Sequence, residues 1–314
     1  MSSIIPFVSR IDQSDHDRWL DALRNAIPGC RIEPLDALTD KEREAVRVAI
    51  VANPDPADLA TMANLEWVHS LWAGVEHIAA ELPHDGPRIV RLEDPQMAKA
   101  MSEAVLAWTL YLHRDMPRYR RQQGRRLWQL HELCLPTDRA VGVLGMGNLG
   151  RASAAKLREQ EFDVRGWSRT PRDMAGVETF HGAEGLRNIL QLSDIIVILL
   201  PLTEQTRGLL DSAALLEMKA GASLINFARG PILDSTVLLD RLDGGHIDHA
   251  VLDVFDEEPL PEESPFWTHP SVTVLPHISA PTNRVTASAI VAANISAYFE
   301  TGLVPRGVDR AKGY

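Results

Sequence analysis

The stretch Val141-Gly142-Val143-Leu144-Gly145-Met146-Gly147-Asn148-Leu149-Gly150 restricts the fold more than any other part of the chain. An apolar run of strand length ends in G-x-G-x-x-G and leads into Ala152, Ala154, Ala155 and Leu157, which suit a helix. A second strand, Phe162 to Trp167, follows at βαβ distance. This is the order a dinucleotide site needs. Gly145 makes the tight turn after the strand, Gly147 lets the backbone approach a pyrophosphate, and Gly150 lets the helix pack closely on the sheet. The amides at the helix start, where Asn148 and Leu149 lie, can then bind phosphates. About 140 residues precede the motif, so the dinucleotide domain is expected to follow a separate segment.

A length of 314 residues suits two domains, and 45% hydrophobic residues suffice for their cores. A net charge of −11 and a pI near 5.5 argue against a nucleic-acid partner. Cys30 and Cys134 lie far apart without CxxC spacing. That favours neither a disulfide framework nor a zinc site, and points to a reducing compartment. Met1 to Arg10 lacks a basic region followed by a long apolar stretch, and reads as a strand rather than a signal peptide. The longest apolar run, Ile195 to Leu200, is too short to span a bilayer, so no membrane is expected and a cytoplasmic location is.

The first third alternates strands with helical stretches. Ile4–Val8, Val46–Val51, Trp67–Leu71 and Arg88–Leu92 read as strands, and Asp15–Ala26 as a helix, which is an α/β pattern. Ala98, Met101, Val105, Trp108 and Leu112 form a helical stripe within one long helix, Met97 to Gln123. It ends among Arg118, Arg120, Arg121, Arg125 and Arg126, read as a solvated face. Leu127 to Thr137 reads as irregular, with Trp128, Leu130, Leu133 and Leu135 exposed for a loop, and suits an oligomerisation arm. Six strands then follow: Val141–Leu144, Val164–Trp167, Ile195–Leu199, Ser223–Asn226, Ala250–Asp253 and Val272–Leu275. They suit a doubly wound sheet, and a last helix, Val285–Glu300, returns to the N-terminal domain.

In NAD sites an acid about 20 positions beyond the glycines grips the ribose 2′-hydroxyl. Here the second strand ends in Trp167-Ser168-Arg169-Thr170-Pro171-Arg172, and that acid is missing. Ser168, Arg169 and Arg172 offer a hydroxyl and two guanidinium forks, which satisfy a 2′-phosphate where a carboxylate would repel it. The pattern points to NADPH, with NADH as the alternative. Leu200, Pro201, Leu202 and Thr206 follow the third strand and are expected to line the cofactor cleft.

Three further segments sit at strand ends: Asn226-Phe227-Ala228-Arg229-Gly230, Asp253-Val254-Phe255-Asp256-Glu257-Glu258-Pro259 and Pro276-His277-Ile278-Ser279-Ala280. With them the whole chain resembles the D-isomer-specific 2-hydroxyacid dehydrogenase family, whose hallmark is an Arg, a Glu and a His in these contexts. Arg91-Leu92-Glu93-Asp94, Trp167-Ser168-Arg169-Thr170 and the tail Val308 to Tyr314 resemble its glyoxylate/hydroxypyruvate reductase A type. The resemblance implies reduction of small 2-keto acids, glyoxylate to glycolate and hydroxypyruvate to D-glycerate, and a homodimer.

Reducing a keto acid needs a hydride donor, a proton donor and a carboxylate anchor. Arg229 can grip the carboxylate with two parallel hydrogen bonds. His277 can donate the proton, and Glu258 beside it favours the imidazolium. Asp253 is a candidate to orient the nicotinamide carboxamide or to tune the pair. Phe227, Ala228, Arg229, His277, Ser279 and Ala280 complete the set expected around the cofactor. Trp72-Ala73-Gly74-Val75 resembles the family's loop whose amides bind the substrate carboxylate. Trp72 stands where many relatives have glycine, and either narrows the pocket toward small substrates or only packs. Trp267 and Trp128 are further candidates for the pocket wall, the latter from a partner subunit. His246 and His249 have metal-like spacing but follow Gly244-Gly245 in a turn, and no metal is expected.

The combined expectation is an α/β protein of two Rossmann-like domains. A doubly wound parallel-sheet coenzyme domain, 98–282, is inserted in a smaller flavodoxin-like substrate domain, 1–97 plus 283–314, with substrate entering between them. The alternatives are an NADH-dependent dehydrogenase of another D-2-hydroxy acid, or a non-enzymatic dinucleotide-sensing protein of the corepressor kind that the same resemblance includes.

Overall fold

The computed structural model describes residues 3–83 and 85–309, so Arg310 to Tyr314 of the tail motif lie outside the described residues. The chain divides into two compact units, Met1–Gln96 with Thr282–Tyr314, and Met97–Pro281.

Among the described residues, the first unit holds five strands: β1 (Ser3–Ser9), β2 (Cys30–Pro34), β3 (Val48–Ala52), β4 (Trp67–Ser70) and β5 (Arg88–Val90). All pair in parallel, in the order β2-β1-β3-β4-β5, which is the flavodoxin-like arrangement. Every residue of β3 is buried, as a central strand covered on both faces requires. The edge strand β2 escapes a hydrophobicity reading because only Ile32 of its five residues is buried and Pro34 ends it. The helix Gln13–Ala26 starts where the Asp12 carboxylate accepts from the Asp15 amide.

The final helix, Arg284–Thr301, is capped by Asn283 and belongs to this unit. Its Asn294 side-chain amide meets His69 Nε2 at 2.9 Å, and its Tyr298 hydroxyl donates to Glu66 at 2.6 Å. His69 is fully buried in β4, with Nδ1 2.9 Å from the Ser70 carbonyl. Nδ1 therefore carries the proton and Nε2 accepts from Asn294. Burial pushes the His69 pKa down to about 4, against a smaller upward pull from the Ser70 carbonyl.

Among the described residues, the second unit holds seven parallel strands: β6 (Ala140–Leu144), β7 (Asp163–Ser168), β8 (Glu178–His181), β9 (Ile195–Ile198), β10 (Ala222–Asn226), β11 (Ile247–Leu252) and β12 (Val272–Val274). Their order is β12-β11-β10-β9-β6-β7-β8, a doubly wound sheet with one more strand than the six expected. The addition, β8, is a short edge strand with no fully buried residue, so it carries no hydrophobic signal. Alternation along each strand splits the core into two layers. Ile196, Ile198 and Leu224 face one side with Ile189 and Leu238. Ile195, Val197 and Ile225 face the other with Met101, Val105, Ala154 and Leu157. Each fully buried Ile, Val or Leu among these stabilises the fold by about 1.5–3 kcal/mol.

The single helix expected over Met97–Gln123 is two helices, Pro95–His113 and Met116–Gly124. Asp115 between them has φ 54°, a left-handed conformation that ends the first helix. Pro117 follows in the opening turn of the second, where its missing N–H is tolerated and its fixed φ starts a helix instead of continuing one. Beyond it, 127–135 has no regular structure, and Pro136–Asp138 is a single 3-10 turn. Trp128 is 98% exposed and Leu130 82%, although Gln122 and Tyr119 anchor the segment's backbone.

Candidate active site

Doubly wound sheets bind ligands at the carboxyl ends of strands where the strand order reverses. In the second unit that point lies between β6 and β9. The glycine turn sits there. Gly145 has φ +112°, and a Cβ on it would lie 2.6 Å from the Leu199 carbonyl oxygen. A Cβ on Gly150 would run into the Gly145 carbonyl oxygen, so helix Asn148–Arg158 reaches the strand only through glycine. Around Gly147, the N-cap of that helix, a Cβ would meet nothing within 4 Å. Folding makes no demand at Gly147, and that open space fits the close approach of a pyrophosphate to helix-start amides.

At the end of β7, Ser168 is buried and its hydroxyl donates to the Thr170 carbonyl at 2.7 Å, which leaves it an acceptor only while that bond is kept. Arg169 is exposed and its guanidinium is held by the Gln205 side-chain oxygen; Arg172 is exposed nearby in sequence. Gln205 carries no sequence signal, because nothing in its loop says which side chain crosses to β7. Thr206 is buried, and its hydroxyl accepts from the Thr203 amide at 2.8 Å and donates to the Pro201 carbonyl at 2.6 Å. It staples the loop after β9 together. Leu200 is likewise buried in the core, with Pro201 and Leu202 half-buried.

After β10, the side chains of Phe227 and Ala228 are buried, while Arg229 is half-buried. Asn226 is fully buried and fixes this turn: its Oδ1 accepts from the Ala228 amide and its Nδ2 donates to the Arg229 carbonyl. Arg229 Nη1 donates to the Ala228 carbonyl at 2.7 Å. The motif gives Asn226 no role, since only the folded turn reveals its two bonds.

Glu258 and His277 meet across two loops, with Glu258 Oε2 2.7 Å from His277 Nδ1. The other carboxylate oxygen, Oε1, accepts from the Phe255 amide at 2.9 Å. A carboxylate accepts only, so Nδ1 carries a proton and Nε2 takes no part in this bond. The hydrogen bond to Glu258 raises the His277 pKa, opposed by burial and by the Arg229 charge and helped by the charges of Glu258 and Asp253. Burial pushes the Glu258 carboxyl up, but the His277 and Phe255 hydrogen bonds, with the charges of His277 and Arg229, hold it below its ordinary range. Asp253 is 2% exposed, and both its carboxylate oxygens accept from backbone, Oδ1 from Ile278 at 2.7 Å and Oδ2 from Ser279 at 2.9 Å. Ser279 is buried and Ala280 packs against the core. A cavity of about 410 Å³ runs along the pair, walled by Phe255, Leu260, Trp267, Val274 and Pro276.

In the first unit the strand order reverses between β1 and β3. A cavity of about 310 Å³ opens there, lined by Arg10, Asn53, Ser70, Trp72, Gly74 and His77. Arg10 follows β1 and donates to the carbonyls of Asn53 at 2.9 Å and Pro54 at 2.8 Å. It thereby braces Asn53, whose φ of 50° is left-handed. Trp72 donates its amide to Ser70 Oγ and stands edge-on to Trp19 at 5.7 Å. Ala73 and Gly74 are half-buried and Val75 lies in the core. Arg10 and Asn53 have no motif; the one pointer to them is their place just past two strands that only the topology makes neighbours.

Among the described residues, no group of three or more His, Cys, Asp and Glu side chains could hold a metal, and no helix is long and apolar enough to cross a membrane. His249 lies in strand β11 rather than in a turn, with Nε2 2.9 Å from the Thr273 hydroxyl.

Comparison with known proteins agrees with this geometry. The D-isomer specific 2-hydroxyacid dehydrogenase, NAD binding domain, matches residues 106–279. A glyoxylate/hydroxypyruvate reductase A of Yersinia enterocolitica is 39% identical over 305 residues, covering 95% of this chain and 96% of the relative. A D-isomer specific 2-hydroxyacid dehydrogenase from Xanthobacter autotrophicus Py2, solved with NADPH and MES, superposes with a TM-score of 0.90 at 39% identity over 100% of both chains. The NADPH-dependent glyoxylate/hydroxypyruvate reductase of Sinorhizobium meliloti, solved with NADP and sulfate, gives 0.87 at 31% identity, covering 99% of this chain and 100% of that one. The match over more than half the chain, together with relatives spanning nearly all of it, establishes that the protein belongs to the D-isomer specific 2-hydroxyacid dehydrogenase family.

Proposed function

We propose that the protein reduces small 2-keto acids with NADPH, converting glyoxylate to glycolate and hydroxypyruvate to D-glycerate. The observation that carries this reading is the His277–Glu258 pair at 2.7 Å, set at strand ends of the sheet that bears the glycine turn. The relatives named for this activity support it.

In this reading unit 97–281 is the coenzyme domain and the other unit the substrate domain. Gly145, Gly147, Asn148, Leu149 and Gly150 hold the pyrophosphate, while Ser168, Arg169 and Arg172 hold the 2′-phosphate. The backbone of the Leu200–Leu202 loop and of Phe227, Ala228, Ser279 and Ala280 lines the rest, because their side chains, buried or half-buried, leave mainly main chain to offer. Bound NADPH supplies the hydride. Arg229 binds the substrate carboxylate with its guanidinium fork, and the Trp72–Val75 loop is the substrate domain's own candidate carboxylate-binding loop, as the family resemblance implies. His277 polarises the ketone and gives its Nε2 proton to the carbonyl oxygen, completing the alcohol. Glu258 holds Nδ1 and favours the imidazolium, raising its pKa. We further propose a cytoplasmic homodimer. The free cysteines support the compartment, and the exposed Trp128 and Leu130 support pairing with a second copy.

The test is steady-state oxidation of NADPH and NADH over a panel of keto acids. Glyoxylate and hydroxypyruvate with NADPH should turn over fastest. Absence of turnover with every small keto acid, or a preference for NADH, overturns the reading.

A further inference from the structure

Ser168 ends β7, and Arg169 and Arg172 lie in the loop that joins it to β8. From 169 to 173 that loop is exposed and has no regular structure. Ordering such a loop only when a ligand arrives subtracts from the affinity. Here the helix Asn148–Arg158 orders it beforehand. Arg151 Nη2 donates to the Asp173 carbonyl at 2.8 Å, and Arg158 Nη1 donates to the Ala175 carbonyl at 3.0 Å. Positions 151 and 158 are about two helical turns apart and so share one face. Gly176 has φ +71°, and a Cβ on it would run into the Arg158 guanidinium, so the loop accepts that side chain only at a glycine. Beyond the brace, the Val177 amide donates to the Met174 carbonyl at 3.1 Å, and Val177 is buried in the core. Gln205 holds Arg169 from the loop after β9. Arg151 also sits close to the start of its helix, where the dipole disfavours a cation. An anion bound at that end offsets this cost.

We propose that Arg151 and Arg158 are positioning residues for NADPH selectivity: from one face of the glycine-turn helix they hold the 169–177 loop in the shape that presents Ser168, Arg169 and Arg172 to the 2′-phosphate before the cofactor binds. The proposal rests on the reading of those three residues as the 2′-phosphate site. NADPH and NADH differ only in that phosphate, so a brace on this loop acts on one cofactor and spares the other. Both bonds run to main-chain carbonyls, so the brace is indifferent to which side chains occupy 173 and 175.

The test compares the full chain with Arg151→Met, Arg158→Met, the double variant and Arg151→Lys, by titrating NADPH and NADH fluorescence without substrate. Methionine keeps the apolar stem and removes the donors. In the double variant the Kd for NADPH should rise about tenfold, the scale of one lost charge-assisted hydrogen bond, while the Kd for NADH stays within about twofold. Arg151→Lys restores the charge and one donor, and should recover NADPH affinity to within about threefold of the wild type. Equal weakening of both cofactors, or no change in either, overturns the proposal. Amide hydrogen exchange at Val177 without cofactor should quicken in the double variant, because its bond to Met174 closes the braced loop; unchanged exchange overturns the brace. Arg169→Ala and Arg172→Ala separate the two readings. If neither alters the NADPH/NADH ratio, the 2′-phosphate site is misplaced. If they alter it and the Arg151 and Arg158 variants do not, the site stands and the positioning falls.

Discussion

The two sheets each reverse strand order once, yet their switch points are built from different materials. In the second unit the reversal is occupied by glycine, because backbone must come close to backbone and to a ligand there. In the first unit it is occupied by Arg10, Asn53 and Trp72, side chains that wall a small cavity. The difference shows what a ligand imposes on sequence. A pyrophosphate bound by main-chain amides demands glycines at fixed spacing, which leave a motif. A cavity made by side chains from strand ends demands only that they converge, which leaves none.

That contrast can be broken by experiment, beginning with the largest effect. His277→Ala in the second unit should lower kcat about 1000-fold and leave NADPH affinity within about twofold; near-normal turnover would falsify its role as proton donor. On the first unit's side, the buried His69 should make stability depend on pH. Its folded pKa, about 4, lies below its ordinary 6.5, so the unfolded chain takes up the proton first. The contribution is complete above pH 6.5 and is lost as pH falls toward 4, about 3 kcal/mol in all. The stability gap between wild type and His69→Phe, measured by chemical denaturation at pH 7.5 and pH 4, should close by that amount.

Gly147→Val should weaken NADPH binding about 30-fold with little loss of stability, since only a ligand needs that space. Gly150→Val should unfold the unit instead, because the Gly145 carbonyl blocks its Cβ; equal melting temperatures for the two variants would erase the distinction. Trp72→Ala should change KM for keto acids about tenfold and leave the Kd for NADPH alone, and a reversed pattern would misassign the first unit. The smallest effect concerns Glu258→Gln. Reduction needs protonated His277, so activity is present below its raised pKa and lost as pH rises through it. Without the Glu258 carboxylate, the alkaline loss of kcat/KM should begin at lower pH.

Strand and helix placement followed from hydrophobic period, with misses where the period is silent. β2 and β8 are half-exposed edges, and the break at Asp115 rests on one left-handed residue among otherwise helical neighbours. The chemistry of their strand-end segments already sets Glu258 beside His277, and the fold brings the two, 19 positions apart on two loops, to 2.7 Å. Thr206 is expected from its place after β9 to line the cofactor cleft, and in the fold its hydroxyl bonds to its own loop.

The order of apolar runs and glycines by itself determined an α/β chain with a dinucleotide turn at Gly145–Gly150, because steric and hydrophobic demands act locally and repeat with the period of each element. Tertiary structure alone decided that Asp253 clamps the backbone after His277, that Gln205 holds Arg169, and that Arg10 braces Asn53. Those are hydrogen bonds between residues distant in sequence, and a polar side chain carries no mark of its partner until the strands are ordered in space.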